Sequence, residues 1–237
     1  MPIRVVAYNV RGFRDGFDRL VRVVADLAPD VLLLNETGGR WRLRRLARSL
    51  GMVVAADPWS PFRRRAKDAV LVRPPWEVER HHQQRLAGSA RFYPRAALFA
   101  RLRREGTSLW AVATHLGLRP SERLHHAEEI LRAVAALDAP MVLGGDLNER
   151  PDGKAVARLS RVLPDVWTQG GVGPGDTIPA RMPTARIDYV FASPELGVER
   201  AFVPQGDDVA VASDHRPVVA DLAPPGSARD SRGQATV

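Results

Sequence analysis

Short apolar runs alternate along this chain with stretches whose apolar residues recur at helical spacing. Ile3–Tyr8 and Val31–Asn35 are brief, apolar and bounded by turn formers, which predicts buried strands. Between them Phe17, Leu20, Val21, Val24 and Leu27 keep helical spacing, predicting a helix over 16–28 that Pro29-Asp30 ends. Leu43, Leu46, Ala47 and Leu50 predict a second helix stopped at Gly51. Strands are predicted at Met52–Ala56, Ala69–Arg73, Ala96–Leu102, Leu109–Thr114, Pro140–Gly145, Ile187–Ala192, Val198–Val203 and Pro217–Leu222. Ser121 is expected to cap a helix whose apolar face is Leu124, Ala127, Leu131 and Val134, and Lys154–Leu163 is expected to form a shorter one. Residues 58–67 and 170–183 read as loops, and Tyr93 before Pro94 as part of another. Helices mixed with strands early and a strand-rich later part predict two sheets packed face to face with helices outside. No repeat or long linker divides the chain. One domain is expected over 1–223, followed by a disordered Gly/Ser/Arg-rich tail over 224–237.

Composition narrows the class. The 237 residues are 45% hydrophobic and 26% charged, which excludes a mostly disordered chain. No apolar stretch is long enough to span a bilayer. The start, MPIRVVAYNVRG, lacks a secretory apolar region, so a cytoplasmic location is expected. With no cysteine, disulfides, thiolate metal sites and a Cys nucleophile are excluded. The net charge is +8, and only Lys67 and Lys154 are lysines, so nearly all 35 basic residues are arginine. That reads equally as a phosphate-rich partner or as arginines spread over a solvated surface. Arg63–Arg65 and Arg42, Arg44, Arg45 and Arg48 are candidates for tracking phosphates, the second set equally for a solvated helix face. Trp59 and Trp76 read as stacking or, more commonly, packing residues. The doublets His81-His82 and His125-His126 read as surface histidines.

The chemistry sits where strands end. Asn9, Asn35-Glu36, His115, Asp146 with Asn148, Asp188 and Asp214-His215 each follow or close an apolar strand. One such exit is a turn former; six of them suggest side chains presented by a rigid scaffold. The set is rich in hard oxygen ligands and has no HExxH pair, which suits Mg²⁺ or Mn²⁺ better than zinc. Histidines beside carboxylates can move protons near neutral pH.

The segments YNVRG (8–12), Glu36, THLGL (114–118), GGDLN (144–148), RIDYVF (186–191) and SDHRPV (213–218) together resemble the endonuclease/exonuclease/phosphatase superfamily, with its DNase-I-like fold. The likeness implies an α/β four-layer sandwich of two mixed sheets flanked by helices. It implies Glu36 as the main metal carboxylate with Asn9 beside it and Asp214 able to reach the ion. Asp146 would orient or deprotonate the attacking water, and Asn148 would steady phosphate or water. His215 would act at the scissile phosphate with Asp188 as its partner, and His115 would protonate the leaving oxygen. Asp68 stands where a carboxylate would pair with that second histidine; a solvated Asp68 paired with Lys67 or Arg65 is the equal alternative. Arg119 and Arg123 are candidates for substrate phosphate and Arg186 for supporting the site. Asn35 replaces a glutamine common in the family, and no counterpart is evident for the active-site tyrosine of apurinic-type endonucleases. The resemblance implies a Mg²⁺-dependent phosphodiesterase, foremost a nuclease on DNA or RNA, working as a monomer without an obligate protein partner. The alternative is a phosphatase or phosphodiesterase acting on a lipid headgroup or phosphorylated small molecule. A non-catalytic nucleic-acid-binding module would show an eroded central residue, and none is eroded.

Overall fold

The structure, a computed structural model, describes residues 1–56, 65–89 and 92–225. Trp59, Arg63, Arg64 and the tail from 226 onward lie outside the described residues. The strands are β1 (Ile3–Asn9), β2 (Val31–Asn35), β3 (Val53–Ala56), β4 (Ala69–Val72), β5 (Glu77–Arg85), β6 (Ala96–Arg104), β7 (Thr107–Thr114), β8 (Met141–Asp146), β9 (Gly171–Val172), β10 (Asp188–Ala192), β11 (Gly197–Phe202) and β12 (Val218–Ala223). The helices are α1 (Phe17–Leu27), α2 (Arg40–Leu50), α3 (Pro120–Val134), α4 (Lys154–Ser160), α5 (Val166–Gly170) and α6 (Asp207–Ala212).

Among the described residues these strands build two mixed sheets. One has seven strands in the order β3-β4-β2-β1-β12-β11-β9, the other five in the order β10-β8-β7-β6-β5. The pairs β1–β2 and β7–β8 run parallel, so their C-terminal ends lie side by side. Alternate residues of each central strand point into the space between the sheets, where Val5, Ala7, Val31, Leu33, Leu98, Ala111, Ala113 and Val142 share one buried core. The opposite faces are covered separately. α1, α2 and α6 bury Leu20, Val24, Leu46 and Val209 against the seven-stranded sheet. α3 and α4 bury Ala127, Ile130, Ala155 and Leu159 against the five-stranded one. Helix, sheet, sheet and helix give the four-layer sandwich. No helix of the described residues is long and apolar enough to cross a membrane.

The structure differs from the pattern-based reading where the pattern is weak. β5 was not expected. Its sequence, EVERHHQQR, shows little apolar alternation because it is an edge strand with mostly exposed side chains, protected from further pairing by its charges. Ser121 is not the cap of α3. Arg119 holds that position, Pro120 begins the helix with its fixed φ, and Glu122 accepts the Arg119 N–H. The short helices α5 and α6 fall in stretches too brief for a period to be read. β6 and β7 meet in a tight hairpin at Glu105-Gly106, both with positive φ.

Leu33 is fully buried between the sheets. Leu33→Ala is expected to cost about 2–5 kcal/mol, read as a lower urea midpoint at unchanged slope.

Candidate active site

Register places the acidic groups. In the parallel β1–β2 pair Asn9 lies opposite Asn35, one residue before Glu36. In the antiparallel β8–β10 pair Asp146 lies opposite Asp188. β7 ends at Thr114 and delivers His115, and the turn entering β12 delivers Asp214 and His215. All these ends open at the same edge of the sandwich.

Asp146 sits at the centre, and its side chain is buried. Its Oδ2 accepts the Asn9 amide at 3.0 Å and lies 3.2 Å from His115 Nε2 and 3.8 Å from His215 Nε2. Its Oδ1 accepts the Asn148 N–H at 2.9 Å. Asn148 adopts φ 52°, which turns the chain back so that its amide meets the Leu116 carbonyl at 3.1 Å and His115 Nε2 at 3.0 Å. His215 Nδ1 is 2.8 Å from Asp188 Oδ2. The Asn9 amide also reaches Glu36 Oε1 at 3.4 Å. Glu36 is half-buried at φ 54°, a conformation held by the Gly12 N–H on its carbonyl at 2.7 Å. Asn9, Glu36, His115, Asp146, Asn148, Asp188 and His215 therefore form one connected network.

The charges in it are opposed to burial. Burial alone would raise the Asp146 carboxyl, but the charge and hydrogen bond of His115, the charge of His215 and the Asn148 N–H hold it well below the usual carboxylate range. Burial alone would lower His215, and the Asp188 carboxylate outweighs it, pushing the imidazolium up to about 10. The pair keeps its proton at neutral pH.

Behind this network lies Asn35, fully buried. Its amide donates to Asp68 Oδ1 and to the Thr114 carbonyl, both at 2.9 Å, and its Oδ1 accepts the Asp146 N–H at 2.9 Å. Gly145 makes this approach feasible. It has φ +141°, and a Cβ there would stand 2.0 Å from the Thr114 carbonyl oxygen and 2.6 Å from Asn35 Oδ1. Sequence reasoning noted Asn35 at a strand exit and as a departure from the family's glutamine, but not the bridge it makes to Asp68, Thr114 and Asp146.

Asp68 is buried, which excludes the solvated alternative. Its contact is Asn35, with the His115 charge nearby. Burial pushes its carboxyl up from 3.8 to about 6 even though His115 and Asn35 pull the other way.

The remaining candidates stand apart. Asp214 is shared by Arg11 at 3.1 Å and Ser213 at 3.3 Å, with no contact to Glu36. Arg119 is exposed at the rim. Arg123 is committed to Glu149 at 2.9 Å and to the Leu118 carbonyl, and Glu149 in turn accepts two N–H groups at the start of α4. Arg186 is buried against Asp165 at 2.7 Å and stacks on Tyr189. The Arg123 and Arg186 guanidiniums thus brace the loops around the site instead of projecting toward a substrate. His126, expected at the surface, is buried and bonds Gly117 and Ala87, while His125 is exposed. Trp76 is buried in the core between the sheets.

The donor set fits a hard divalent ion. Glu36 and Asp146 present carboxylates joined through one amide, and no sulfur ligand competes. Asp146, Asp188 and His215 also each place a ligand atom within 4.8 Å of the others.

The fold and this cluster define a metal-binding hydrolase architecture. The family model for the Endonuclease/Exonuclease/phosphatase family matches residues 6–215, and the chain belongs to that family. Among solved structures, the endonuclease/exonuclease/phosphatase from Bacteroides vulgatus is similar at 21% identity and TM-score 0.83, over 94% of this chain and 99% of that one. A mannosyl-6-phosphatase from Bacteroides thetaiotaomicron is similar at 18% identity and TM-score 0.77, over 93% and 99%. The human Nocturnin catalytic domain with bound sulfate is similar at 20% identity and TM-score 0.73, over 94% of each chain. Compared by sequence with curated proteins, the chain matches none.

Because Asp68 has its folded pKa raised, its contribution to stability is greatest below pH 3.8 and falls as pH rises through about 6. Asp68→Asn is expected to raise stability at pH 7.5 by up to about 3 kcal/mol, an advantage that vanishes near pH 4. Thermal unfolding across that range tests it; a gain independent of pH would contradict it.

Proposed function

We propose that the protein is a divalent-metal-dependent hydrolase of phosphodiester bonds, foremost a nuclease acting on DNA or RNA. The observation that carries this reading is Asp146 fixed between two imidazoles, with His215 Nδ1 held 2.8 Å from Asp188 Oδ2 on one side. Glu36, backed by Asn9, would hold a magnesium or manganese ion, which would supply charge neutralisation on the phosphate oxygens. Asp214 would join it only by leaving Arg11.

The chain's own groups do the rest. His215, kept cationic by Asp188, donates to a non-bridging oxygen, where negative charge grows as water attacks. A carboxylate held below its ordinary pKa is a weak base, so Asp146 acts first to orient that water. Asn148 fixes Asp146 and steadies the same water or the phosphate. The water oxygen bonds to phosphorus as its proton passes to the Asp146 carboxylate, the ester P–O bond breaks, and the departing oxygen takes a proton from His115. Asp68 and Asn35 hold the strand end from which His115 projects.

A second reading has an observation of its own. A solved neighbour is a mannosyl-6-phosphatase, so hydrolysis of a phosphorylated sugar by the same centre is the alternative.

His215→Ala and Asp146→Ala are each expected to lower kcat by about 10²–10³-fold or more, and EDTA to abolish turnover until Mg²⁺ or Mn²⁺ is restored. The substrates to compare are plasmid DNA, single strands, RNA, a phospholipid and mannose 6-phosphate. Undiminished metal-dependent cleavage by Asp146→Ala would refute its role, and selective release of phosphate from the sugar would transfer the assignment to the second reading.

A further inference from the structure

Beside the catalytic network lies a cavity of about 560 Å³, lined by Tyr93, Arg95, Gly117, Leu118, Arg119 and Glu122. That volume falls within the range of small-ligand sites, about 300–1,000 Å³. Two of its lining residues, Gly117 and Leu118, stand two and three positions after His115 in the chain. Arg95 is near enough for its charge to act on Asp68. The walls are fixed from behind. Gly117 N–H donates to His126 Nδ1 at 3.3 Å, and His126 Nε2 donates to the Ala87 carbonyl at 2.8 Å. A Cβ on Gly117 would stand 2.2 Å from the Glu122 carboxylate carbon, so glycine keeps that wall low.

The chemistry of the lining is specific. Tyr93 is 73% exposed and Leu118 69%, so both leave apolar surface open. Among the described residues neither Arg95 nor Arg119 is ion-paired with a carboxylate, in contrast to Arg123 and Arg186. Two such cations outside the reacting centre suit a second anionic group on the substrate. A sugar monophosphate has only its reacting phosphate. A nucleotide chain has a flat ring and a further phosphate on the leaving side.

We propose that this cavity is a leaving-group subsite for a nucleotide, with the base against Tyr93 and Leu118 and the adjoining phosphate on Arg95 and Arg119. The inference rests on the phosphoester-hydrolase reading, with His115 facing the leaving oxygen, and adds the group that oxygen carries.

The test compares kcat/KM for dithymidine phosphodiesters bearing a terminal phosphate, in both polarities, with that for the methyl ester of thymidine monophosphate. At least a tenfold preference for the dinucleotide is expected, and Tyr93→Ala and Arg95→Gln should each reduce the ratio about tenfold. An unchanged ratio overturns the proposal. Calorimetry with thymidine 3′,5′-bisphosphate in Mg²⁺ buffer separates the two readings. Binding weakened about tenfold by Tyr93→Ala, in a chain that hydrolyses none of the esters, supports the subsite and overturns the hydrolase. Hydrolysis indifferent to the leaving group supports the hydrolase and overturns the subsite.

Discussion

One buried amide holds the two sheets together at the edge where the chemistry sits. Asn35 ends β2 of one sheet, yet its three hydrogen bonds go to Asp68, to the end of β7 and to the end of β8. Leaving any one of those buried partners unpaired would cost about 1–3 kcal/mol. More important is what the amide positions. Asp146 and His115 project from the strand ends it grips, and Glu36 is its own neighbour in the chain. Gly145 belongs to the same constraint, because a side chain there would occupy the space the amide crosses. Gly145, directly before Asp146, is thus explained by packing alone, with no appeal to substrate.

Much of the fold was legible because central strands carry strong local signals. Val31–Asn35 was read with the bounds observed, since a buried run with a turn former on each side admits few alternatives. The exits Asn9, Glu36, His115, Asp146, Asp188 and His215 were legible for the same reason: each interrupts an apolar run. What escaped depended on partners distant in sequence. β5 is recognisable only once β6 lies beside it, with His82 stacked flat on Phe99. His126 looks like its neighbour His125 until the turn at Ala87 arrives to accept its proton. Arg123 was read as a substrate contact, whereas Glu149 had already claimed it; Arg186, read as a support for the site, pairs with Asp165.

The same distinction resolves part of the net charge. Many arginines answer a carboxylate inside the molecule, as Arg4 answers Asp221 and Arg101 answers Asp138. Exposed pairs of this kind contribute little to stability, and they also withdraw their cations from the surface field. Arg44 and Arg48 on α2 and Arg119 at the rim are exposed. A simple excess of basic over acidic residues says nothing of this partition, which only tertiary contacts create.

The hairpin at Glu105-Gly106 lies at the start of β7, whose other end carries His115. Eight residues of extended chain, about 27 Å, separate the two. A cargo grafted at that turn would ride on the far pole of the sandwich, joined to the edge of the candidate site by a hydrogen-bonded strand and clear of its opening. The molecule therefore offers a built-in handle for immobilisation or fusion that leaves its working face toward solution.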